Sequence, residues 1–573
     1  MPLPPLHTLV VPLFAAITLA ILGTMLNPGY VLTLDMAWPE QLTLAWNTDG
    51  FNNTLPLHAL LALLGVALPS WLVQKVVLVG LFFALLYLPY RFLPYLTSHT
   101  GRIFAGTLYA LNPFVYARLL AGQWTVLLGY ALLPVVLFAL VRMVENPNRR
   151  SALVLASACL LIGSVSMHYF YIAILVSMAW LGVHVGTALR TGHTLQVWSL
   201  IRTALLSACI VLSVSMYWIA PALARPAPIE TRFDVAHFEG FAASENELVP
   251  TLLNVLVLGG FWAEGMQWRY DFVWPQDTLM FWIAALATLV LVCYGAYRFL
   301  RNTQTRFVGL LLVALMGAAY VLALGAWGGI FTSFNLWMYA HLPGWSGLRD
   351  SHKLAGVLAL LYALFAGVAI DAILNRLRTR ASIVRVCVTL SLGCIPLCFG
   401  LYEWGGFHRQ LTPVWYPDSW YAARDILSTL PPEEKVLSLP WRGYYSLTFT
   451  EQRIVANLTP DFFGTDRVLA GRSVEVGAVY DQEVDSQYRS LDTLIDTAPT
   501  LSADAVQTTY AKHHIRHLLI VRNANTEDPW LAPPHTDGTA TPADAAVLEA
   551  LLQIPHRNVF ASDELELYTF TYE

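Results

Sequence analysis

Charge is what this sequence most clearly lacks. Only 12% of its 573 residues are Asp, Glu, Lys or Arg, whereas 56% are hydrophobic. A soluble domain carries about 25% of those four charged residues. Together with a mean hydropathy of +0.54, this composition excludes an ordinary soluble enzyme. The sequence therefore predicts a protein that crosses a membrane several times.

Several chemical motifs are also missing. There is no GxxxxGK[ST] loop for ATP, no HExxH zinc motif and no GxSxG nucleophile turn. The six cysteines form no CxxC pair and no zinc-binding spacing, and all of them lie in apolar stretches. Nothing in the sequence therefore suggests ATP hydrolysis, and the motifs that would indicate a zinc metalloprotease or a serine hydrolase are absent.

The charge balance changes along the chain and divides it into two parts. Residues 1–402 carry 21 Lys and Arg against 14 Asp and Glu, whereas residues 403–573 carry 12 against 24. In the second part, helical and strand patterns alternate, which predicts an α/β domain of ordinary size. Its acidity and its lack of a basic stripe argue against nucleic acid as a partner.

The first part contains eleven stretches that resemble spanning helices, which need about 20 mostly apolar residues. We therefore expect a polytopic α-helical membrane protein of about 11 transmembrane helices, followed by a C-terminal extracytoplasmic α/β domain. The predicted spans are 8–26, 71–90, 103–120, 124–143, 151–166, 169–188, 203–222, 279–299, 307–326, 353–374 and 382–402.

The loop charges predict the orientation. Of the 21 Lys and Arg residues before residue 403, two thirds lie in one set of loops, which is therefore predicted to be cytoplasmic together with the N-terminus. The other side receives the loops 27–70, 223–278 and 327–352 and the C-terminal domain. Most of the acids before residue 403 also fall there. Because Asp and Glu contribute little to topology, this bias favours an outward-facing working surface.

The loop after the first span carries three acids and no base. Asp35 lies just past the membrane boundary among apolar residues, where a carboxylate has the raised proton affinity that suits a general base. A loop acid or a helix cap is the alternative. Asp49 and Trp38 are candidate substrate contacts in the same loop. Residues 55–69 are too short to span comfortably and predict a helix along the outer interface.

Cations are few on this acidic side, so each is a candidate phosphate ligand. Arg349 and Lys353 are four residues apart at the mouth of the tenth predicted span, with His352 between them, and would share one helix face. Arg suits bidentate phosphate binding and Lys adds a point charge. Snorkelling or a salt bridge to Asp350 is the alternative interpretation. Arg225, past the seventh span, is a further candidate.

Four more residues are candidates for binding substrate. Arg118, near the outer end of the third span, would orient substrate or snorkel to the interface. Gln123 and Trp124 would bind a sugar by hydrogen bonding and stacking, although interfacial Trp is also a common membrane anchor. His237, in the long loop 223–278, is a candidate general base or metal ligand.

A known family shares these features. A lone acid after the first span, an interfacial helix, about eleven spans and an outer C-terminal domain resemble the GT-C glycosyltransferases, membrane enzymes that use lipid-phosphate-linked sugars. The stretch 101–140, which contains ALNPFVYARLLAGQW, is similar to arabinofuranosyltransferase-type members. The stretch 342–360, LPGWSGLRDSHKLAGVLAL, resembles the Arg–Lys start of a late span in that group and in YfhO-like proteins. Members often have paired acids, so Glu40, the next acid here, joins Asp35 as a catalytic candidate.

The resemblance implies an inverting glycosyltransferase. It would move a sugar from a polyprenyl-phosphate donor to a glycan, lipid or protein acceptor outside the cytoplasmic membrane, with Asp35 as general base. This chemistry requires no cofactor and no metal, although a divalent cation (Mg²⁺ or Mn²⁺) is an alternative. The alternative function is a non-catalytic lipid-linked glycan transporter or cell-envelope assembly factor. An ion-coupled transporter is disfavoured because no predicted span carries a charge at its centre.

Overall fold

The computed structural model describes residues 6–44, 52–224, 234–245, 249–264, 272–472, 475–476, 479–480, 485–525 and 543–572. Two predicted site residues, Asp49 and Arg225, lie outside the described residues.

The N-terminal part is built of helices, several of which pack side by side around a common apolar core. These helices are α1 (Leu6–Leu22), α2 (Leu55–Ala67), α3 (Ser70–Phe92), α4 (His99–Ala110), α5 (Pro113–Leu120), α6 (Trp124–Glu145), α7 (Arg149–Gly163), α8 (Met167–Arg190), α9 (Thr194–Leu223), α10 (Val235–Gly240), α11 (Thr251–Leu256), α12 (Leu279–Arg301), α13 (Arg306–Ala323), α14 (Thr332–His341), α15 (Ala355–Arg376) and α16 (Ser382–Phe399).

Ten helical segments of the described chain are long and apolar enough to cross a membrane. The protein is therefore a multi-pass membrane protein, as predicted. The difference from the eleven expected spans is the stretch 151–166, which forms the 15-residue helix α7. Such a helix is about 22 Å long, whereas the hydrocarbon core is about 30 Å thick. The chain nevertheless returns to the side of the first loop, because Asn53 Nδ2 donates to the Gly163 carbonyl at 2.7 Å.

The short apolar helix expected over 55–69 is also present. Helix α2 begins with a proline in its first turn, where the missing N–H costs nothing, and ends just before Pro69. Its side chains Leu60, Leu63 and Val66 are 52–86% exposed. This unburied apolar face is typical of a helix that lies against lipid.

The third crossing is broken into α4 and α5 at Asn112. The Asn112 side chain accepts hydrogen bonds from the N–H groups of Phe114 and Val115, which caps α5, and Pro113 occupies its first position. All eight residues of α5 are buried. Helix α5 ends at Leu120, and the residues that follow it, Ala121 and Gly122, lie directly beneath the first loop.

The C-terminal part is an α/β domain, as predicted. Its five-stranded sheet has the order β4-β1-β7-β10-β9, in which β4, β1 and β7 are parallel and β10 and β9 are antiparallel. A smaller sheet of order β3-β2-β8, which the sequence did not predict, lies in the same domain. The elements are α17 (Trp404–Phe407), α18 (Asp418–Ser428), β1 (Lys435–Leu439), β2 (Tyr444–Leu447), β3 (Ile454–Ala456), α19 (Leu458–Phe463), β4 (Val468–Leu469), β5 (Glu475–Val476), β6 (Val479–Tyr480), α20 (Ser486–Thr497), α21 (Ala503–Lys512), β7 (Ile515–Val521), β8 (Ala524–Asn525), α22 (Ala543–Leu551), β9 (His556–Ala561) and β10 (Leu565–Phe570).

The first loop is joined to the C-terminal domain by main-chain pairing. Tyr30 and Val414 exchange backbone hydrogen bonds of 2.7 and 2.8 Å. Further along, Leu34 donates to the Ile454 carbonyl and accepts from the Ala456 N–H, both at 2.8 Å. The loop therefore extends the small sheet at the edge of β3, and the residue that follows Leu34 is held by both parts of the molecule.

Candidate active site

Asp35 lies in a tight turn on the end of α5. The Met36 N–H donates to the Thr33 carbonyl at 2.7 Å and closes the turn, while the Asp35 N–H donates to the Ala121 carbonyl at 3.1 Å. Gly122 makes this contact possible, since a Cβ there would come within 2.3 Å of the Met36 nitrogen and the Thr33 oxygen. The corner formed by Ala121 and Gly122 after α5 therefore fixes the position of the Asp35 backbone.

Both oxygens of the Asp35 carboxylate accept hydrogen bonds. Gln123 Nε2 donates to Oδ2 and the Tyr444 hydroxyl donates to Oδ1, each at 2.9 Å. The side chain is accessible to water although protein surrounds it densely, so it lines a cleft. Burial raises the pKa of Asp35, against the opposing effect of the two hydrogen bonds.

A chain of polar contacts leads from Asp35 to Lys353 and is buried from Arg118 onward. Gln123 Oε1 accepts from Arg118 Nη1 at 2.7 Å, and the Arg118 guanidinium forms a bidentate pair with Asp350, with Nη2 to Oδ1 at 2.9 Å. Lys353 Nζ lies 3.1 Å from Asp350 Oδ2. Lys353 also acts electrostatically on Asp35 and favours its charged form. The structure thus brings two predicted site residues, from opposite ends of the helical part, into one neighbourhood.

Several charged side chains act on one another in this cluster. Burial raises the pKa of Asp350, but Arg118 and Lys353 outweigh it and hold that pKa below its usual range, so Asp350 is ionised. Arg118 neutralises Asp350 in the bidentate pair. Lys353 and Arg349 are the remaining cations of this cluster, and both act electrostatically on the neighbouring His168. The nearby carboxyls are Asp35 and the buried Glu264, whose pKa burial raises to about 7 and on which Arg118 acts. An anionic group would bind here through Lys353 and Arg349.

His352 does not have the geometry of the predicted phosphate ligand. Arg118 Nη2 lies 3.0 Å from Nδ1, and the Gly259 carbonyl lies 2.8 Å from Nε2. A guanidinium only donates and a carbonyl only accepts, so the ring carries its proton on Nε2 and is neutral. Both nitrogens are used, which leaves none for phosphate. His352 instead orients Arg118.

Arg349 and Lys353 do not share a helix face, contrary to the expectation from their spacing. The chain between Trp345 and Leu354 forms two short 3-10 turns, and Arg349 and Asp350 lie between them. The half-buried Arg349 guanidinium lies over the ring of Phe241, 4.6 Å from its centroid. Lys353 forms the salt bridge with Asp350 that was the alternative interpretation of its role.

Other predicted residues have structural partners. Trp38 is buried, donates from Nε1 to Ser70 and packs against the half-buried Trp124, with ring centroids 5.5 Å apart. This contact leaves no open face of Trp38 for a sugar. We therefore read Trp38 as part of the packing beneath the first loop, which corrects the expected substrate contact.

Glu40 is not paired with Asp35. Its carboxylate forms an ion pair of 2.7 Å with Arg424 of the C-terminal domain, where both side chains are 24% exposed. The predicted second catalytic acid thus ties the first loop to that domain. The two acids therefore have different partners. Asp35 lies in the turn on the end of α5 and contacts Gln123 and Tyr444, whereas Glu40 lies at the surface of the C-terminal domain.

His237 caps a short helix. Its backbone N–H donates to the carboxylate of Asp234, the N-cap residue of α10, and the Asp234 N–H donates back to the ring Nδ1, each at 3.2 Å. This capping box accounts for the residue's position without a substrate. Its predicted role as base or metal ligand gains no support from these contacts.

Two residues at this site were missed by the sequence argument. His168, the second residue of α8, is in electrostatic contact with Lys353, Asp350, Arg118 and Arg349. Its neighbour Tyr169 fixes the same turn by donating to the Lys353 carbonyl at 3.0 Å. Tyr444 is the other. A lone histidine and a tyrosine in a strand belong to no recognisable motif. His168 could have been selected as a candidate because it lies at the outer start of a predicted span.

The residues present do not fit a two-acid metal site. Within the described ranges, no group of three or more His, Cys, Asp or Glu side chains could hold a metal ion. Asp35 accepts hydrogen bonds on both oxygens, and Glu40 is occupied by Arg424.

These features define a class of protein: a bundle of membrane-spanning helices with a polar cleft at the end that lies nearest an α/β domain. No protein-family model matches the chain, and no curated protein matches it. Among solved structures, it is similar to the arabinofuranosyltransferase AftD from Mycobacteria, with a TM-score of 0.61 and 16% identity over 98% of this chain. A mutant form of AftD gives a TM-score of 0.57 at 17% identity over 98% of this chain and 41% of that one.

These likenesses confirm the predicted fold. The chain spans 40% of the length of AftD, and the low identity is evidence for the fold alone. The protein therefore has a GT-C-like fold. The archaeal oligosaccharyltransferase AglB from Archaeoglobus fulgidus gives a TM-score of 0.48 at 12% identity over 90% of this chain and 69% of that one.

Proposed function

We propose that this protein is an inverting glycosyltransferase that moves a sugar from a polyprenyl-phosphate donor to an acceptor hydroxyl on the outer side of the cytoplasmic membrane. The observation that carries the proposal is the contact chain Asp35–Gln123–Arg118–Asp350–Lys353, which joins a carboxylate to a cation within one cleft. The GT-C-like fold supports a lipid-linked donor, and the acidic outer loops support an outward-facing site.

Asp35 would act as the general base. Two hydrogen bonds hold its carboxylate, and each oxygen has a second lone pair for the acceptor hydroxyl. As the acceptor oxygen attacks the anomeric carbon, its proton passes to Asp35. The bond from that carbon to the phosphate oxygen breaks, and its electron pair leaves with the lipid phosphate. One displacement gives inversion. The raised pKa of Asp35 makes it a stronger base than an aspartate of ordinary pKa.

Lys353 and Arg349 would stabilise the departing phosphate. In the described part of the chain, Lys353 uses one of its three N–H donors on Asp350, and the Arg349 guanidinium lies over the ring of Phe241. A fixed cation in a partly desolvated cleft stabilises developing charge more than one in water. The lipid phosphate is a competent leaving group, so Asp35, Lys353 and Arg349 are sufficient for the step.

The replacement Asp35→Asn tests the proposal. It keeps the shape and removes the base, so transfer should fall about 10²–10⁴-fold with an unchanged Tm. The measurement is transfer of radiolabel from a panel of polyprenyl-phosphate sugars by the full chain in lipid nanodiscs. In the wild type, the rate should fall with acidification through a limb that lies above the usual aspartate pKa, because the base must be ionised.

Glu40→Gln is the control, since Glu40 pairs with Arg424 rather than with Asp35. It should retain most of the activity. Full activity of Asp35→Asn would instead favour the alternative, a transporter or assembly factor for lipid-linked glycans that performs no chemistry.

A further inference from the structure

The hydroxyl of Tyr444 reaches into the cleft from the C-terminal domain. Tyr444 is the first residue of β2, and its hydroxyl donates to Asp35 Oδ1 at 2.9 Å across 409 residues of sequence. Gln123 donates to the other oxygen from the helical part. The carboxylate is therefore held between one donor from each part of the molecule.

The same small sheet also holds the backbone beside Asp35. Tyr444 pairs with Ala456 in the antiparallel ladder of β2 and β3. The Ala456 N–H donates to the Leu34 carbonyl at 2.8 Å, and the Leu34 N–H donates to Ile454. The main chain before Asp35 and the side chain of Asp35 thus bind adjacent strands. Their relative position is set by strand pairing rather than by flexible side chains.

We propose that Tyr444 is a positioning residue that makes the C-terminal domain part of the active site, by fixing the Asp35 carboxylate for the acceptor hydroxyl. The inference rests on the proposed function, because it assigns a purpose to the orientation of the base. A donor to a carboxylate favours its charged form, and two donors also fix its plane. The charged groups that act on Asp35 besides these donors are Lys353, which favours ionisation, and Asp350, which opposes it.

The test is the replacement Tyr444→Phe, with Tyr445→Phe as the matched control. Tyr445 is the next residue of the same strand, and its hydroxyl donates within the domain to Asn457 Oδ1 at 2.8 Å. Each variant loses one hydroxyl from β2, but only Tyr444→Phe removes a donor to Asp35. Infrared pH titration of the reconstituted full chain follows the protonated-carboxyl band that Asp35→Asn abolishes.

We expect Tyr444→Phe to move the midpoint of that band to higher pH and to shift the acid limb of the transfer rate in the same direction. Tyr445→Phe should leave both unchanged. A midpoint that does not move in Tyr444→Phe, or that moves equally in both variants, overturns the inference.

A second variant covers the case in which Tyr444→Phe folds poorly. Site-specific 3-fluorotyrosine at position 444 keeps the shape and makes the hydroxyl a stronger donor, so the midpoint should move to lower pH. An unchanged midpoint there also overturns the inference. If Asp35→Asn retains transfer activity while Tyr444→Phe still shifts the band, the proposed function fails and the hydrogen bond stands.

Discussion

The guanidinium of Arg118 lies at the centre of the buried network, with none of its side chain exposed. It donates to Gln123, Asp350 and His352 and lies 4.7 Å from the ring centroid of Phe261. A charge is tolerated in such a place only when it is paired and hydrogen-bonded. Arg118 therefore organises the site from within and does not snorkel to the interface, which was one of its two sequence-based interpretations.

Removing Arg118 should therefore cost stability. Arg118→Met leaves the Asp350 carboxylate buried with Lys353 as its remaining charged partner, and breaking a buried pair costs about 3–5 kcal/mol. We expect a clear loss of Tm for the detergent-solubilised protein, measured by intrinsic fluorescence. The physical cause of the lost stability is that the Asp350 oxygens would no longer accept the two hydrogen bonds of the guanidinium.

Lys353→Met is the matched comparison, because it removes a cation from the same carboxylate but leaves the bidentate Arg118 pair intact. It should lower Tm less and lower the transfer rate by about 10²–10³-fold, as expected for a lost donor to developing charge. Equal loss of Tm in both variants would contradict the distinction between a structural and a functional cation.

These residue-scale partnerships explain what the sequence could not supply. The sequence placed Asp35 and Lys353 at the same face of the membrane because local hydropathy and loop charge determine where spans end. It could not pair Arg118 with Asp350, since the two lie 232 residues apart and no periodicity links them. The contact of Tyr444 with Asp35 could not be predicted from the sequence for the same reason. Long-range contacts depend on packing, which a single sequence does not reveal.

At the scale of elements, the corner between α5 and α6 decides where Asp35 lies. Gly122 has φ +71°, and a Cβ there would lie 2.3 Å from the backbone of the Asp35 turn. The adjacent residue, Gln123, begins the contact chain to Arg118. One glycine thus satisfies a left-handed backbone and a close backbone approach at once.

Gly122→Ala should therefore displace the turn and lower transfer about 10²-fold, the typical cost of misplacing a reacting group by about 1 Å. Gly192→Ala is the control. Gly192 has φ +76° in the turn between α8 and α9, but a Cβ there meets nothing within 4 Å. Both variants carry the left-handed strain of about 1–2 kcal/mol, so only their difference reports the clash.

The measurements are Tm and transfer rate for the two variants side by side. Equal rates would show that the turn absorbs the extra methyl group without moving Asp35, and the positioning role of the corner would be withdrawn.

The elements that the sequence predicted least well are those whose length or pairing is set by neighbours. Helix α7 has only 15 residues, although its composition continues an apolar block into α8. Ser166, in the break between them, caps α8 by accepting from the Tyr169 N–H. The small sheet of β2, β3 and β8 was missed because its strands are two to four residues long. Hydropathy windows average over such features.

At the scale of the whole molecule, the first loop and the C-terminal domain share one hydrophobic cluster. Tyr30, Leu34 and Trp38 pack in it with domain residues such as Trp420 and Tyr445. Tyr416 adds a polar link by donating to the Trp38 carbonyl at 2.9 Å. A shared apolar core opposes independent movement of the two parts. The domain is therefore fixed against the mouth of the cleft.

The loop charges predict the side of the membrane on which the first loop and the C-terminal domain lie. The turn between α12 and α13 is flanked by Arg298, Arg301 and Arg306, so the positive-inside rule predicts a cytoplasmic position for it. The C-terminal domain packs at the opposite end of the bundle, beside the first loop. It should therefore lie outside, together with Asp35.

Single cysteines in a background with the six native cysteines replaced test this orientation. Asp425→Cys lies in α18, where the native side chain is 77% exposed, and Gln304→Cys lies in the exposed turn after α12. In intact cells, a membrane-impermeant maleimide should label position 425 at once and position 304 only after permeabilisation. The reverse pattern would place the cleft in the cytoplasm, and an outer acceptor would then be excluded because the base could not reach it.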